Sequence, residues 1–268
     1  MATIGFIGIG NMASAIIGGL IDGGLVSASD IVVSSFTAAK RQAFAERTGV
    51  RALDSNSQVA AEADVLVLAV KPQKFAEIAD EIRDDLGSNQ PLVVSIAAGL
   101  SLAQLGELFG SDLRITRVMP NMNSRIGQGM SAVCANENAS ESDLATVVTA
   151  FESIGEVVTI PEAQFSAYTA IAGSSPAFAF LFIDALSRGA VAAGMPKAQA
   201  TKIAAQAVLG SAALVKSSDA SPWDLIDQVC SPAGTTVAGL LSLEGDGFLA
   251  SVADAVAAVI KRDQELAG

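Results

Sequence analysis

Histidine is missing from this chain of 268 residues, which removes imidazole acid–base chemistry and histidine metal clusters; no metal site is expected. Cysteine is nearly missing too. Cys134 and Cys230 are too few for a disulfide framework and suggest a reducing compartment. Aromatic residues make up 5% of a chain that is 51% hydrophobic, so alanine and small aliphatic side chains supply the apolar fraction. Positive charge is scarce, with 16 Lys and Arg against 28 Asp and Glu. The net charge of −12 argues against nucleic acid or an anionic membrane as partner. Long hydrophobic runs are lacking as well: the apolar stretch from Ala177 to Ile183 stops at Asp184, too short to span a bilayer. No basic region precedes the first predicted strand, so no signal peptide is expected and the expected location is cytoplasmic. A soluble chain this apolar is expected to hide surface in an oligomer interface.

What is present begins at once. The apolar run Ile4-Gly5-Phe6-Ile7 leads into Gly8-Ile9-Gly10-Asn11-Met12-Ala13, and then Ile16, Ile17, Leu20 and Ile21 follow at helical spacing. This reads as strand, glycine turn and helix start. Gly8 allows the sharp turn, Gly10 lets the backbone approach a pyrophosphate, and Ala13 keeps the helix close to the strand. The helix N-terminus offers N–H groups and a positive dipole end to phosphates. The second strand, Ile31 to Ser35, carries no acid at its end to hold a ribose 2′-OH: Asp30 comes too early and Glu46 too late. It ends in Ser34, Ser35 and Thr37, with Lys40 and Arg41 one turn on. Taken alone the two cations read equally well as a solvated helix face. With the acid missing, they favour NADPH, with NADH as the alternative cofactor.

Two halves differ in kind. Strands are predicted over 4–8, 31–35, 65–69, 92–97, 115–119, 130–134 and 156–160, and helices over 11–23, 37–47, 73–86, 101–109 and 141–154. Such alternation predicts a parallel sheet covered on both faces. After Pro161 only helices are predicted, over 163–172, 176–194, 197–216, 222–230, 234–243 and 247–266. The expected architecture is an α/β Rossmann-like dinucleotide-binding domain over 1–160, followed by an all-α dimerisation and substrate-binding domain over 161–268. The helix from Pro176 is apolar nearly all round, with Phe178, Phe180, Leu181, Phe182 and Ile183, and a second subunit is its expected cover.

Further candidates lie at strand ends and in one late loop. Leu68 to Gln73 and Ser95 to Gly99 close strands where an open parallel sheet binds its ligand. Arg117-Val118-Met119-Pro120-Asn121 closes another, and Arg117 reads equally as an ion-pair partner or a ligand contact. Between Asp227 and Gly239, the turn Ser231-Pro232-Ala233-Gly234-Thr235-Thr236 precedes a helix start. Its N–H groups and hydroxyls suit a carboxylate, although Ser and Thr are also ordinary helix caps.

Gly8 to Ala13, Leu68 to Gln73, Ser95 to Gly99, Arg117 to Asn121, Gly173 to Ala177 and Val229 to Thr236 together resemble pyrroline-5-carboxylate reductases, in that family's order and across nearly the whole chain. The resemblance implies reduction of 1-pyrroline-5-carboxylate to L-proline with NAD(P)H, the last step of proline synthesis, by an interlocked homodimer often assembled into a decamer. It makes Ile7, Gly8, Ile9, Gly10, Asn11, Met12, Ser34, Asn56, Ala69, Val70, Lys71 and Pro72 cofactor contacts, with Ser35 beside them and Ala97 next to the nicotinamide. It gives the substrate to Ser231, Ala233, Gly234, Thr235 and Thr236, and hydrogen-bonds Thr236, the expected catalytic residue, to the ring nitrogen. The chain departs from the pattern at Met122-Asn123, where Thr-Pro is usual, and at Ser175 and Ala233, where glycine is common; pocket size and substrate range hang on these positions. A β-hydroxyacid dehydrogenase-like or related imine reductase and a non-catalytic NADP(H)-binding regulator are the alternatives. The first needs a lysine in a glycine-rich context that neither Lys197 nor Lys202 has; the second, a degenerate late loop.

Overall fold

The computed structural model describes residues 2–267. Two compact units emerge among these residues, one made of those up to Gly173 together with those from Val259 on, and one from Ser174 to Ala258.

In the first unit, β1 (Ile4–Ile7) and α1 (Asn11–Asp22) open the chain. They are followed by β2 (Ile31–Ser34), α2 (Ala38–Thr48), β3 (Arg51–Ala52), α3 (Asn56–Glu62), β4 (Val65–Leu68) and α4 (Phe75–Asn89). Next come β5 (Leu92–Ser95), α5 (Leu102–Phe109), β6 (Ile115–Pro120), β7 (Gly129–Ala135), α6 (Glu141–Glu152), β8 (Gly155–Thr159) and the short α7 (Phe165–Tyr168). The eight strands form one sheet in the order β3-β2-β1-β4-β5-β6-β7-β8. Chain direction reverses spatially after β3, so β1 and β4 flank the switch point where such sheets bind ligands. Strands buried on both faces explain the continuous apolar runs: β1, β2 and β5 are buried at every position. One core cluster gathers Phe6, Ile16, Ile17, Val33 and Phe151 on one face, and another gathers Ile7, Leu66, Phe75, Ile82 and Phe109 on the other.

Two expectations need correction. The sheet is not wholly parallel, because β6 and β7 run antiparallel, Arg117 opposite Cys134. The connection over 121–128, a 3-10 turn at Met122–Ile126, is too short for the crossover that parallel strands require. The strand β3 and the helix α3 also escaped sequence reading. A two-residue strand has no period to detect, and α3 has only seven residues.

In the second unit, α8 (Ser175–Ala192) packs beside α9 (Lys197–Ser217), and α10 (Pro222–Val229) and α11 (Thr235–Gly245) follow; the last helix, α12 (Phe248–Ala267), starts in this unit and its residues from Val259 on belong to the first. The predicted pause between 172 and 176 is absent. A π-helical segment, Thr169–Ser174, carries the backbone from α7 straight into α8. The resulting stretch, Glu162–Ala192, is long and apolar enough by length and composition to cross a membrane, which corrects the view that no such run exists. On α8, Phe180 and Leu181 stand 53% and 70% exposed.

Candidate active site

The glycine turn has the form its chemistry requires. Gly8 sits at φ +99°, and a Cβ there would lie 2.7 Å from the Ala69 carbonyl oxygen and 2.9 Å from Val70 Cγ1. The Gly8 N–H donates to the Ser34 carbonyl at 3.0 Å, and Ala69 N–H donates to the Ile7 carbonyl at 2.9 Å, which ties three strand ends together. A Cβ on Gly10 would meet nothing within 4 Å, so the space in front of α1 is open. Gly10 is the N-cap and no side chain caps the helix, leaving its first N–H groups for an anion. These features fit a dinucleotide pyrophosphate.

A cavity of about 440 Å³ continues from this turn along the ends of β1 and β2, with Ile7, Gly8, Ser34, Ser35, Asn56 and Val70 in its wall. Asn56 belongs there because it starts α3: the Ser34 hydroxyl donates to its Oδ1 at 2.7 Å, while its Nδ2 donates to Glu81 Oε2 at 2.7 Å. The Arg41 guanidinium reaches the same cavity, giving hydrogen bonds to the Ser35 carbonyl at 3.1 Å and to Asp54 Oδ1 at 2.6 Å. Lys40 points to solvent. Ile9, Asn11 and Met12 belong to the turn and the first positions of α1; Lys71 and Pro72 follow β4, with Pro72 opening a 3-10 turn. Ala97, just past β5, is buried, and its N–H donates to Ser95 Oγ at 3.4 Å.

Several residues of this cavity escaped sequence reading, Ser55, Lys74, Glu77 and Glu81 among them, and two stand at its open edge. Asp54 follows the unrecognised β3, and the fully exposed Phe36 stands at the cavity wall. The adjacency of Ser35 and Phe36 was the only available signal for the second. Arg117, by contrast, resolves as an ion-pair partner. Its side chain is 9% exposed, Nη1 donates to Glu162 Oε1 at 3.0 Å, and the guanidinium lies 4.5 Å from the Phe165 ring centroid.

The late loop belongs to the second unit. Gly234 is the N-cap of α11, its N–H donates to the Ser231 carbonyl at 3.0 Å, and no side chain caps the helix. A Cβ at Gly234 would lie 2.3 Å from Ser231 Oγ. Ala233 takes a left-handed φ of +57°. Ser231, Thr235 and Thr236 are exposed around this uncapped end, a set of donors suited to a carboxylate. Lys197, one of the two general-acid candidates of the alternative reading, is engaged: its Nζ binds Asp184 Oδ1 at 2.5 Å and also the Ser187 hydroxyl.

Known proteins carry the same two parts. Residues 3–99 match the family model described as NADP oxidoreductase coenzyme F420-dependent, and residues 162–266 match that of pyrroline-5-carboxylate reductase dimerisation. The pyrroline-5-carboxylate reductase of Escherichia coli is 41% identical over 98% of this chain and 97% of its own. The chain belongs to the pyrroline-5-carboxylate reductase family. A reductase structure from Coxiella burnetii superposes with a TM-score of 0.94 at 33% identity, covering 100% of this chain and 99% of that one. One from Plasmodium falciparum, solved with NADP bound, gives 0.90 at 31%, covering 100% and 98%. The dimerisation match includes the apolar stretch Glu162–Ala192.

Proposed function

We propose that the protein reduces 1-pyrroline-5-carboxylate to L-proline, the last step of proline biosynthesis, with NADPH preferred over NADH. The observation that carries this reading is the loop from Ser231 to Thr236 at the uncapped start of α11, in a chain that shares 41% identity with a named reductase. The nicotinamide cofactor supplies a hydride to the imine carbon when bound. Gly8, Gly10 and the first turn of α1 hold the pyrophosphate. Ser34, Ser35 and Asn56 receive the adenosine ribose, Ala69, Val70, Lys71 and Pro72 border the cofactor, and Ala97 lies against the nicotinamide. Ser231, Ala233, Gly234 and Thr235 hold the substrate carboxylate and ring. Thr236 hydrogen-bonds the ring nitrogen. A protonated imine is already electrophilic, so the protein needs no strong acid of its own, in keeping with a chain without histidine. A hydroxyl of ordinary acidity orients the ring and steadies its proton, and positioning supplies most of the acceleration.

The division of labour follows the nucleotide-binding portion, 1–160, and the dimerisation and substrate portion, 161–268. The functional particle is an interlocked homodimer, assembled further into a decamer, in the cytoplasm. Replacing Thr236 by Ala is expected to slow turnover about 10–1000-fold, the scale of one oriented polar contact. Unchanged kinetics in that variant would remove Thr236 from the reaction.

A further inference from the structure

The second strand ends without an acid, yet the fold brings one to the same place. β3 lies parallel to β2 with Val33 beside Ala52, and the Leu53 N–H donates to the Val33 carbonyl at 2.9 Å. Asp54 therefore emerges at the same edge of the sheet as Ser34 and Ser35 and lines the same cavity. It pairs with Arg41 at 2.6 Å, and the two ends of the pair differ: the Arg41 side chain is 13% exposed and that of Asp54 is 89% exposed. The guanidinium is also anchored by the Ser35 carbonyl, so two of its five N–H groups are used among the described residues.

From this geometry, and resting on the nucleotide reading above, we propose that Asp54 is a specificity-determining residue that holds the preference for NADPH over NADH below what Arg41 alone would give. A carboxylate this solvated binds its partner weakly, so it competes poorly with a stronger anion for the Arg41 N–H groups that the Ser35 carbonyl does not hold. A 2′-phosphate carries close to two negative charges at neutral pH and matches the guanidinium fork. Asp54 then stands beside a like charge and repels it. Against NADH the sign reverses, because a carboxylate at this edge accepts a hydrogen bond from the 2′-OH. One exposed carboxylate thus penalises the phosphorylated cofactor and favours the other.

The test is direct binding of NADPH and NADH by calorimetry, with kcat/KM for each in parallel. Asp54→Asn keeps the side-chain shape and is expected to raise the NADPH-to-NADH affinity ratio about 3–10-fold, a gain that shrinks in high salt. Arg41→Gln is expected to lower the ratio about tenfold or more. If Asp54 serves only to hold Arg41 in place, Asp54→Asn lowers the ratio or leaves it unmoved, and either result overturns the inference. Wild-type protein that binds neither nucleotide would overturn the proposed cofactor as well; binding of both with an unmoved ratio would sink this inference alone.

Discussion

Single residues carry the most exposed parts of the account. Phe36, fully exposed in the cavity wall beside Ser35, presents a ring on which the adenine of the proposed cofactor would stack, a contact worth about 1–3 kcal/mol. Phe36→Ala is expected to weaken binding of NADPH and NADH alike by about tenfold, read by calorimetry, without changing their ratio. Cys134 makes a different prediction. Burial, with help from the Glu162 carboxylate and against the pull of Arg117, pushes its thiol up to about 12. The unfolded thiol titrates near 8.5, so its contribution to stability is whole below about pH 8.5 and falls as pH climbs from there towards 12. The urea midpoint should decline over that window, and less steeply in Cys134→Ala. The thiol should also resist alkylation in the native protein. At this scale the sequence was legible where the backbone forces a residue type, as at Gly8, whose φ of +99° and crowded Cβ position require glycine. It was silent at Asp54, whose role depends on a neighbour thirteen positions away in the chain.

Among elements, three helix starts in the structure are marked by serine. Ser101 with Gln104, Ser140 with Asp143 and Ser221 with Asp224 each form a reciprocal capping box. The α6 box does the most, since Arg114 Nη1 binds Asp143 Oδ1 at 2.7 Å and Nη2 binds the Gln90 carbonyl at 2.9 Å. Burial pushes the Asp143 carboxyl up, but the Ser140 hydroxyl and N–H and the Arg114 charge outweigh it and leave it below the ordinary carboxylate value. A lowered value stabilises the fold above about pH 3.9, and this support is lost as pH falls through the lower folded value. Denaturant midpoints followed downward from pH 5 to below the ordinary carboxylate value should show that loss, and Asp143→Asn should lower stability at pH 6 while flattening the acid limb. Ser140→Ala should cost about 1 kcal/mol. Elements without such marks were missed: α3 has a serine cap at Ser55, but its seven residues give no clear stripe. The antiparallel turn of β7 was hidden for another reason, because a strand's apolar pattern says nothing of its direction.

At the scale of the whole molecule, the apolar excess of the composition reappears as surface. Phe180, Leu181, Leu209, Leu241 and Leu249 are each more than half exposed in the isolated chain. Leu181→Asp is expected to shift the protein towards monomer in sedimentation velocity and to lower its melting temperature by several degrees; an unchanged oligomer would place the interface elsewhere. The helical half was legible from the end of strand signals after Pro161. Its continuity from α7 into α8 was not, because Gly173-Ser174-Ser175 reads as a break and the backbone passes through it as a π-helix.

The central claim is the reaction itself, and its most direct test is NADPH oxidation followed by absorbance with racemic 1-pyrroline-5-carboxylate, repeated with NADH. The account predicts rapid turnover with both cofactors, faster at equal concentration with NADPH, and L-proline as product. Tight NADPH binding without oxidation of either cofactor in the presence of this imine would contradict it.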